Sequence, residues 1–265
     1  MNIQVTKINP VSAQDILDMN TANRKLNQNR ISFLANQMEK GKWDSNGDSI
    51  RISKNNVLMD GQHRLHAIIK SGVEIETLLI TGLEFDVFKT IDTGKSRSGG
   101  DVLSVIGQKN TRNLAAALLV VEDLMTGNTG FSRKIKVSNE DVLEMFEKYR
   151  GIEVFISNKQ KVKFMIPSVA NALHYIFYKI NPEKCTMFFD HLETGAGLEA
   201  FSPIRLLRER LIDNTISKGK MTKKYMIALS IKAWNAFVDG RALKSLRFRD
   251  SGDNPESFPA IKGLR

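Results

Sequence analysis

Apolar residues change their spacing once along this chain, and that change limits the folds open to it. Ile3-Gln4-Val5-Thr6-Lys7-Ile8 alternates with period 2, as a half-buried opening strand does. Ser49-Ile50-Arg51-Ile52 and Asn56-Val57-Leu58-Met59 read as two short strands joined by a Lys54-Asn55-Asn56 turn, and Glu76-Thr77-Leu78-Leu79-Ile80-Thr81 as a further strand-like run. Among them, Ile31, Leu34, Ala35 and Met38 mark an amphipathic helix from Asn29 to Lys40, with Gly41 as its stop. A second helical pattern runs over 62–70 and stops at Gly72, and a third covers Asp86 to Ile91. Residues 93–100, Thr-Gly-Lys-Ser-Arg-Ser-Gly-Gly, then form a polar, glycine-rich break. Beyond residue 107 there is little strand signal. Helices are expected at 111–126, 138–149, 166–180, 182–193, 203–213 and 221–239, and the tail from Ser251, with Pro255 and Pro259, reads as loop. The expectation is an α+β domain over residues 1–105 and an all-helical domain over 106–265.

With 265 residues, 42% of them apolar and 26% charged, the composition is that of a soluble globular protein with room for one large core or two smaller ones. No apolar run approaches the roughly 18 residues of a membrane span, and Met1-Asn2-Ile3-Gln4-Val5 lacks the pattern of a secretory signal. Cys185 is the only cysteine, so disulfides and cysteine metal sites are out, and its apolar surroundings point to packed core. A cytoplasmic protein without a membrane partner is expected. The net charge of +10 is lopsided: residues 1–106 hold 13 Lys/Arg against 12 Asp/Glu, residues 107–265 hold 26 against 17. Basic excess in one half suits a polyanion such as DNA, with a merely basic soluble surface as the plain alternative.

The chemistry concentrates in Asp60-Gly61-Gln62-His63-Arg64-Leu65-His66-Ala67, where a strand meets a glycine turn and opens a helix. Such a junction directs backbone N–H groups and the positive end of the helix dipole at one point, which suits phosphate. Arg64 and His63 can add side-chain donors there. By itself, the same stretch could also be a hairpin turn followed by an exposed helical arginine.

Its neighbours sharpen the reading. Asn23-Arg24 precedes a helix that ends Met38-Glu39-Lys40-Gly41-Lys42-Trp43, followed by Asn46-Gly47-Asp48, and further on comes Ile91-Asp92-Thr93-Gly94-Lys95-Ser96-Arg97. This ordered set resembles the ParB/sulfiredoxin superfamily, in particular the ParB-domain proteins common in phages and mobile elements. The likeness covers roughly residues 1–105, and Ile231-Lys232-Ala233-Trp234-Asn235 extends it less diagnostically into the helical half. It implies a ParB/sulfiredoxin-like N-terminal fold whose glycine loop wraps the phosphates of ATP or CTP. It also implies nucleotide contacts from Asn23, Arg24, Gly61, Gln62, His63, Arg64, His66, Thr93, Gly94, Lys95 and Arg97. Mg2+ bridging the phosphates, held by Asp60 or Asp92, fits the same picture, and so does a homo-oligomer. Members include CTP-hydrolysing DNA clamps, ATP-using sulfiredoxins and free-amino-acid kinases. Gln62 stands where sulfiredoxins carry a reactive cysteine, which excludes sulfinic-acid repair, and where clamps and kinases usually carry glutamate. Glutamine is no general base, so the candidate catalytic set of Asp60, Gln62 and Asp92 relies on its carboxylates.

Two tempting motifs fail. Thr93-Gly94-Lys95-Ser96 is not a Walker A loop, because Lys89 stands where the first glycine is required. His63 and His66 share a helical face but have no ligating partner at suitable spacing, so no metal site is expected. For DNA, the candidates are Arg205 and Arg208 (with Arg210) on the 203–213 helix, and Arg241, Lys244, Arg247 and Arg249 after the Trp234 helix. Basic residues around a helical surface suit phosphate-backbone contacts. No zinc-finger, homeodomain or RNP motif is present, and a helix–turn–helix within 107–150 has no sharp signature. The functional expectation is a nucleotide-binding protein with NTPase activity that acts on DNA. One rival is a metal-dependent endonuclease using Asp60, Asp92 and Asp101. The other is a non-catalytic DNA- or protein-binding module with a degenerate nucleotide loop.

Overall fold

A computed structural model describes residues 1–20, 23, 25–90, 98–132, 136–157, 162–216 and 221–264. The chain forms two compact units, one of residues 1–96 with 133–137 and the other of 97–132 with 138–265. The protein is mixed α+β: a four-stranded sheet and eleven α-helices lie within the described residues. No described helix is long and apolar enough to cross a membrane.

The first unit carries every described strand. Strands β1 (Asn2–Ile8), β2 (Ser49–Ser53), β3 (Leu58–Asp60) and β4 (Ile75–Leu83) form one sheet in the order β1-β4-β2-β3. β1 runs antiparallel to β4 from Asn2↔Thr81 to Ile8↔Ile75, and β2 runs parallel to β4 with Ile50 beside Leu79. β3 folds back on β2 with Arg51 opposite Asp60. Helices α1 (Pro10–Leu17), α2 (Gln28–Glu39) and α3 (Gln62–Ser71) pack together, and Ala13, Leu17, Ile31, Leu34, Leu65 and Ile68 join Ile8, Ile50, Leu58 and Ile75 in one core. The α2 and α3 expectations hold to within a residue or two.

Helix α1 has no counterpart among the expected elements. Its signal is a cap: the Asn9 side chain accepts from the Ser12 N–H at 2.9 Å, the Ser12 hydroxyl accepts from the Asn9 N–H at 3.0 Å, and Pro10 begins the helix. The helix expected at Asp86 to Ile91 is instead a 3-10 helix, Phe85–Thr90, and Ile91 lies outside the described residues. Six residues suit the tighter 3-10 turn used in short connectors.

The second unit is all helical. It opens with α4 (Gly99–Val105), also unanticipated, whose Asp101 accepts from the Ser98 N–H and hydroxyl, both at 2.7 Å, to close a capping box. α4 packs on α5 (Thr111–Met125) and α6 (Asn139–Lys148), so the helical unit begins before residue 106. Then follow α7 (Ile152–Ser157), α8 (Pro167–Ile180), α9 (Pro182–Thr194), α10 (Pro203–Ile216) and α11 (Lys223–Val238). Asn181 divides α8 from α9: it ends the first and, by accepting from the Lys184 N–H at 2.9 Å, caps the second.

Trp234 of α11 anchors this core. Its ring is fully buried, stacked on Phe177 at 4.2 Å and met edge-on by Phe188 at 5.6 Å. Its Nε1–H is buried and makes no hydrogen bond among the described residues. Cys185 is buried in the same core with its thiol pushed up to about 12 by desolvation, so it stays protonated and inert at neutral pH.

Because Trp234 carries so much packing, Trp234→Ala is expected to destabilise the protein by about 3–5 kcal/mol. Trp234→Phe should cost much less, since it also removes a buried donor without an acceptor. Urea unfolding followed by circular dichroism measures both.

Candidate functional site

The candidate site forms where β3 turns into α3. Gly61 is the N-cap of α3 at φ 103°, a left-handed conformation that favours glycine, and its N–H donates to Asp60 Oδ1 at 2.7 Å. A Cβ here would lie 2.9 Å from Ile50 Cγ1 and 3.4 Å from its Cα, so the turn is pressed directly onto β2. The missing side chain makes room for the sheet, a structural reason for this glycine independent of any ligand.

Arg64 is the central group. It sits in the first turn of α3, its side chain only 13% exposed, with Nη1 donating to Ser49 O at 2.8 Å and Nη2 3.9 Å from Asp48 Oδ2. Burial lowers its pKa, Asp48 and Asp60 push it back up, and Arg30 and Arg51 lower it again. Three guanidinium groups therefore act on one another across two carboxylates, and the local charge is positive. Arg51, 3.8 Å from Asp60 Oδ2 and 2.9 Å from the Ser49 hydroxyl through Nε, was not among the sequence candidates. Its signal was present, since the β-hairpin register places it opposite Asp60.

The other candidates are held differently. Gln62 is 4% exposed and accepts from Asn20 Nδ2 at 3.3 Å. Asn23 donates to Asn20 Oδ1 at 2.7 Å and to Leu58 O at 2.6 Å, completing a chain that ties the segment before α2 to β3. His63 accepts the Asn27 N–H on Nε2 at 3.0 Å, so Nδ1 carries the ring proton while the imidazole is neutral and is the nitrogen that can donate. Asn27 in turn caps α2 through the Arg30 N–H at 3.1 Å. His66 is half-buried, and burial lowers its pKa from the usual 6.5. Asp60, with one oxygen on the Gly61 N–H and the other toward Arg51, is positioned as a turn and ion-pair residue. Arg24, Asp92, Thr93, Gly94, Lys95 and Arg97 lie outside the described residues. Among the described residues no three His, Cys, Asp or Glu side chains gather as a metal-binding group.

In the helical unit, the basic candidates at 241–249 follow the Trp234 helix, beyond its end. Gly240, at φ 64°, follows the end of α11, and 241–249 is not helical: Leu246 and Phe248 are buried, while Arg247 and Arg249 between and beyond them are exposed. Lys232 holds this segment in place by donating to Arg247 O at 2.6 Å and to Glu256 Oε2 at 2.7 Å. Arg241 pairs with Asp239 at 3.2 Å, Arg249 with Glu256 at 3.5 Å and Arg205 with Glu209 at 2.9 Å. All three pairs have exposed arginines, so each is worth little and is open to exchange for phosphate. Arg208 is a different case. It donates to Leu192 O at 3.1 Å and Glu193 O at 3.5 Å, lies 5.5 Å over the Phe164 ring, and abuts Gly195 where α9 ends. It therefore caps α9 and is not a free DNA contact. Lys244 and Arg247 are exposed with no carboxylate within ion-pair distance among the described residues. The Leu243 N–H donates to Phe201 O at 2.9 Å, so this segment and the start of α10 are brought side by side.

Fold and site together define a mixed α+β protein with a basic strand–turn–helix junction in one unit and a basic helical second unit. Comparison with family models, with curated proteins and with solved structures yields no match.

Burial sets the folded pKa of His66 below its unfolded one. Stability is then complete above the unfolded value and falls as pH drops through about 6.5, since the unfolded chain takes up the proton before the folded one does. His66→Gln should flatten the stability profile between about pH 7 and 5, as thermal melts across that range will measure.

Proposed function

We propose that the first unit binds the phosphates of a nucleoside triphosphate, ATP or CTP, at the first turn of α3, and that the helical unit engages the DNA backbone. The observation that carries the reading is Arg64: a desolvated guanidinium at a helix N-terminus, crowded by Arg30 and Arg51 and only distantly paired with Asp48. An anionic phosphate offsets that charge and takes the first-turn backbone donors as well. The buried Gln62 favours binding without rapid turnover, because it lies in the hydrogen-bonded packing behind the loop and supplies no base. This is the site arrangement the likeness to the ParB/sulfiredoxin superfamily implies, with Mg2+ accompanying the phosphates. DNA would lie against Lys244, Arg247 and the exchangeable arginines Arg205, Arg241 and Arg249.

Calorimetric titration of ATP, CTP and GTP with Mg2+ tests the nucleotide. At least one should bind with a Kd below about 1 mM, roughly 4 kcal/mol of binding free energy, and Arg64→Ala should weaken it at least tenfold. Absence of binding for all three rejects the reading. For DNA, replacing Lys244 and Arg247 together by Ala should weaken duplex binding uniformly across sequences and reduce the salt slope by about 2. Arg208→Ala should instead lower the melting temperature, by removing a hydrogen-bonded cap of about 1–2 kcal/mol.

A further inference from the structure

The helical unit contains a second, separately built pocket. A cavity of about 590 Å³ opens between the ends of α5, α6 and α8, a volume in the range of small-molecule sites. The buried rings of Tyr149 and Tyr175, with Ile176, make its apolar base. Lys148 and Lys179 stand exposed among its lining residues. Met125, 42% exposed, and Ile180 complete an apolar wall.

The last wall is brought from far along the chain, and its clamp is specific. Asn235 on α11 donates to Ala260 O at 2.8 Å and accepts from the Lys262 N–H at 2.9 Å, as a neighbouring strand would. Lys262 also pairs with Asp239, and Ile261 is buried. These contacts lay Gly263 and Leu264 along the pocket. Gly263 takes φ 88°, and a Cβ there would fall 2.6 Å from Ile180 Cγ2, so only a glycine lets the segment close on α8 without displacement.

The charges in the lining are unequal. Lys148 donates to Glu122 Oε2 at 3.1 Å, the same oxygen that accepts from the Tyr149 hydroxyl at 2.5 Å. Burial and that carboxylate push Tyr149 up to about 12, so the floor stays uncharged. Lys179 lies 5.7 Å over the Tyr175 ring, with no carboxylate within ion-pair distance among the described residues. An apolar chamber with one uncompensated ammonium at its entrance matches a ligand that has an apolar body and a single anionic head.

We propose that this pocket binds a small amphipathic monoanion, a carboxylate on an aliphatic or aromatic body, with its head at Lys179 and its body against Tyr149, Tyr175 and Ile176. The site is separate from the nucleotide reading and stands without it.

The test is calorimetric titration of the full chain with octanoate and 2-naphthoate, with 1-octanol as the neutral control. Methyl NMR of labelled Met and Ile residues locates the binding. Octanoate, 2-naphthoate or both should bind with a Kd below about 0.5 mM, shifting the Met125, Ile176 and Ile180 methyl signals. 1-Octanol should bind at least about tenfold more weakly, and Lys179→Ala should cost the anion at least about fivefold. Met125→Trp, at an exposed position that leaves the core intact, should block entry. Preference for octanoate identifies an aliphatic ligand and preference for 2-naphthoate an aromatic one. Binding of neither overturns the proposal, as does binding unchanged by both substitutions or shifts confined to other methyl groups.

Discussion

The close contact between Gly61 and Ile50 sets the geometry of the first unit. β3 has only three residues, so nothing but the turn fixes where α3 begins. With no Cβ at Gly61, that turn sits against the β2 backbone, and α3 starts at van der Waals distance from the sheet. Leu65 and Ile68 then reach the core one and two turns later, and α1 and α2 pack against the same helix. The same contact brings the first turn of α3 beside Ser49 and Asp48, which is why Arg64 meets their polar groups and not open solvent. One steric constraint thus positions both the hydrophobic and the charged sides of the helix.

In the helical unit the corresponding element is α11. Its buried face is built around Trp234, while Lys232, Asn235 and Asp239 hold residues 247–262 against the unit. The segment that follows α11 has no hydrogen-bonded secondary structure of its own among the described residues. Arg247 O, Ala260 O and the Lys262 N–H pair instead with the Lys232 and Asn235 side chains of the helix. This suits a segment with Pro255 and Pro259, which could join neither a helix interior nor a sheet ladder without losing a donor.

What could be read in the residue order follows from the range of each interaction. The β2–β3 hairpin, α2 and α3 rest on local spacing and on nearby glycines, and their positions were readable. Helix α1 was equally local, but its capping box uses Ser12 where glutamate or glutamine is the usual marker, and so escaped notice. At Leu246 and Phe248 the alternating burial was visible in principle. That this basic run is held against α11 is not legible locally, because the restraint on Arg247 comes from Lys232, 15 positions away. Arg208 shows the same limit: nothing near it in sequence announces that α9 ends against its guanidinium. Gln62 stands out in the sequence only against the family pattern it resembles, and its burial and its bond from Asn20, 42 positions away, belong to the fold. The pocket beside Tyr149 could not be foreseen at all, because its walls come from four separate parts of the chain.

Charge and hydrogen bonding around α3 also constrain the chemistry open to the proposed phosphate site. Asp60 already accepts the Gly61 N–H and faces Arg51, and Asp48 faces Arg64. A reaction that drew Asp60 away from the Gly61 N–H would remove a hydrogen bond of the turn that creates the site. Arg64 carries no such conflict. Its ion pair with Asp48 is long and its burial disfavours the lone charge, so a phosphate improves its surroundings without breaking the turn. The arrangement is therefore better suited to holding an anion than to transforming one. Hydrolysis at this loop would need its base from beyond the residues that build the turn.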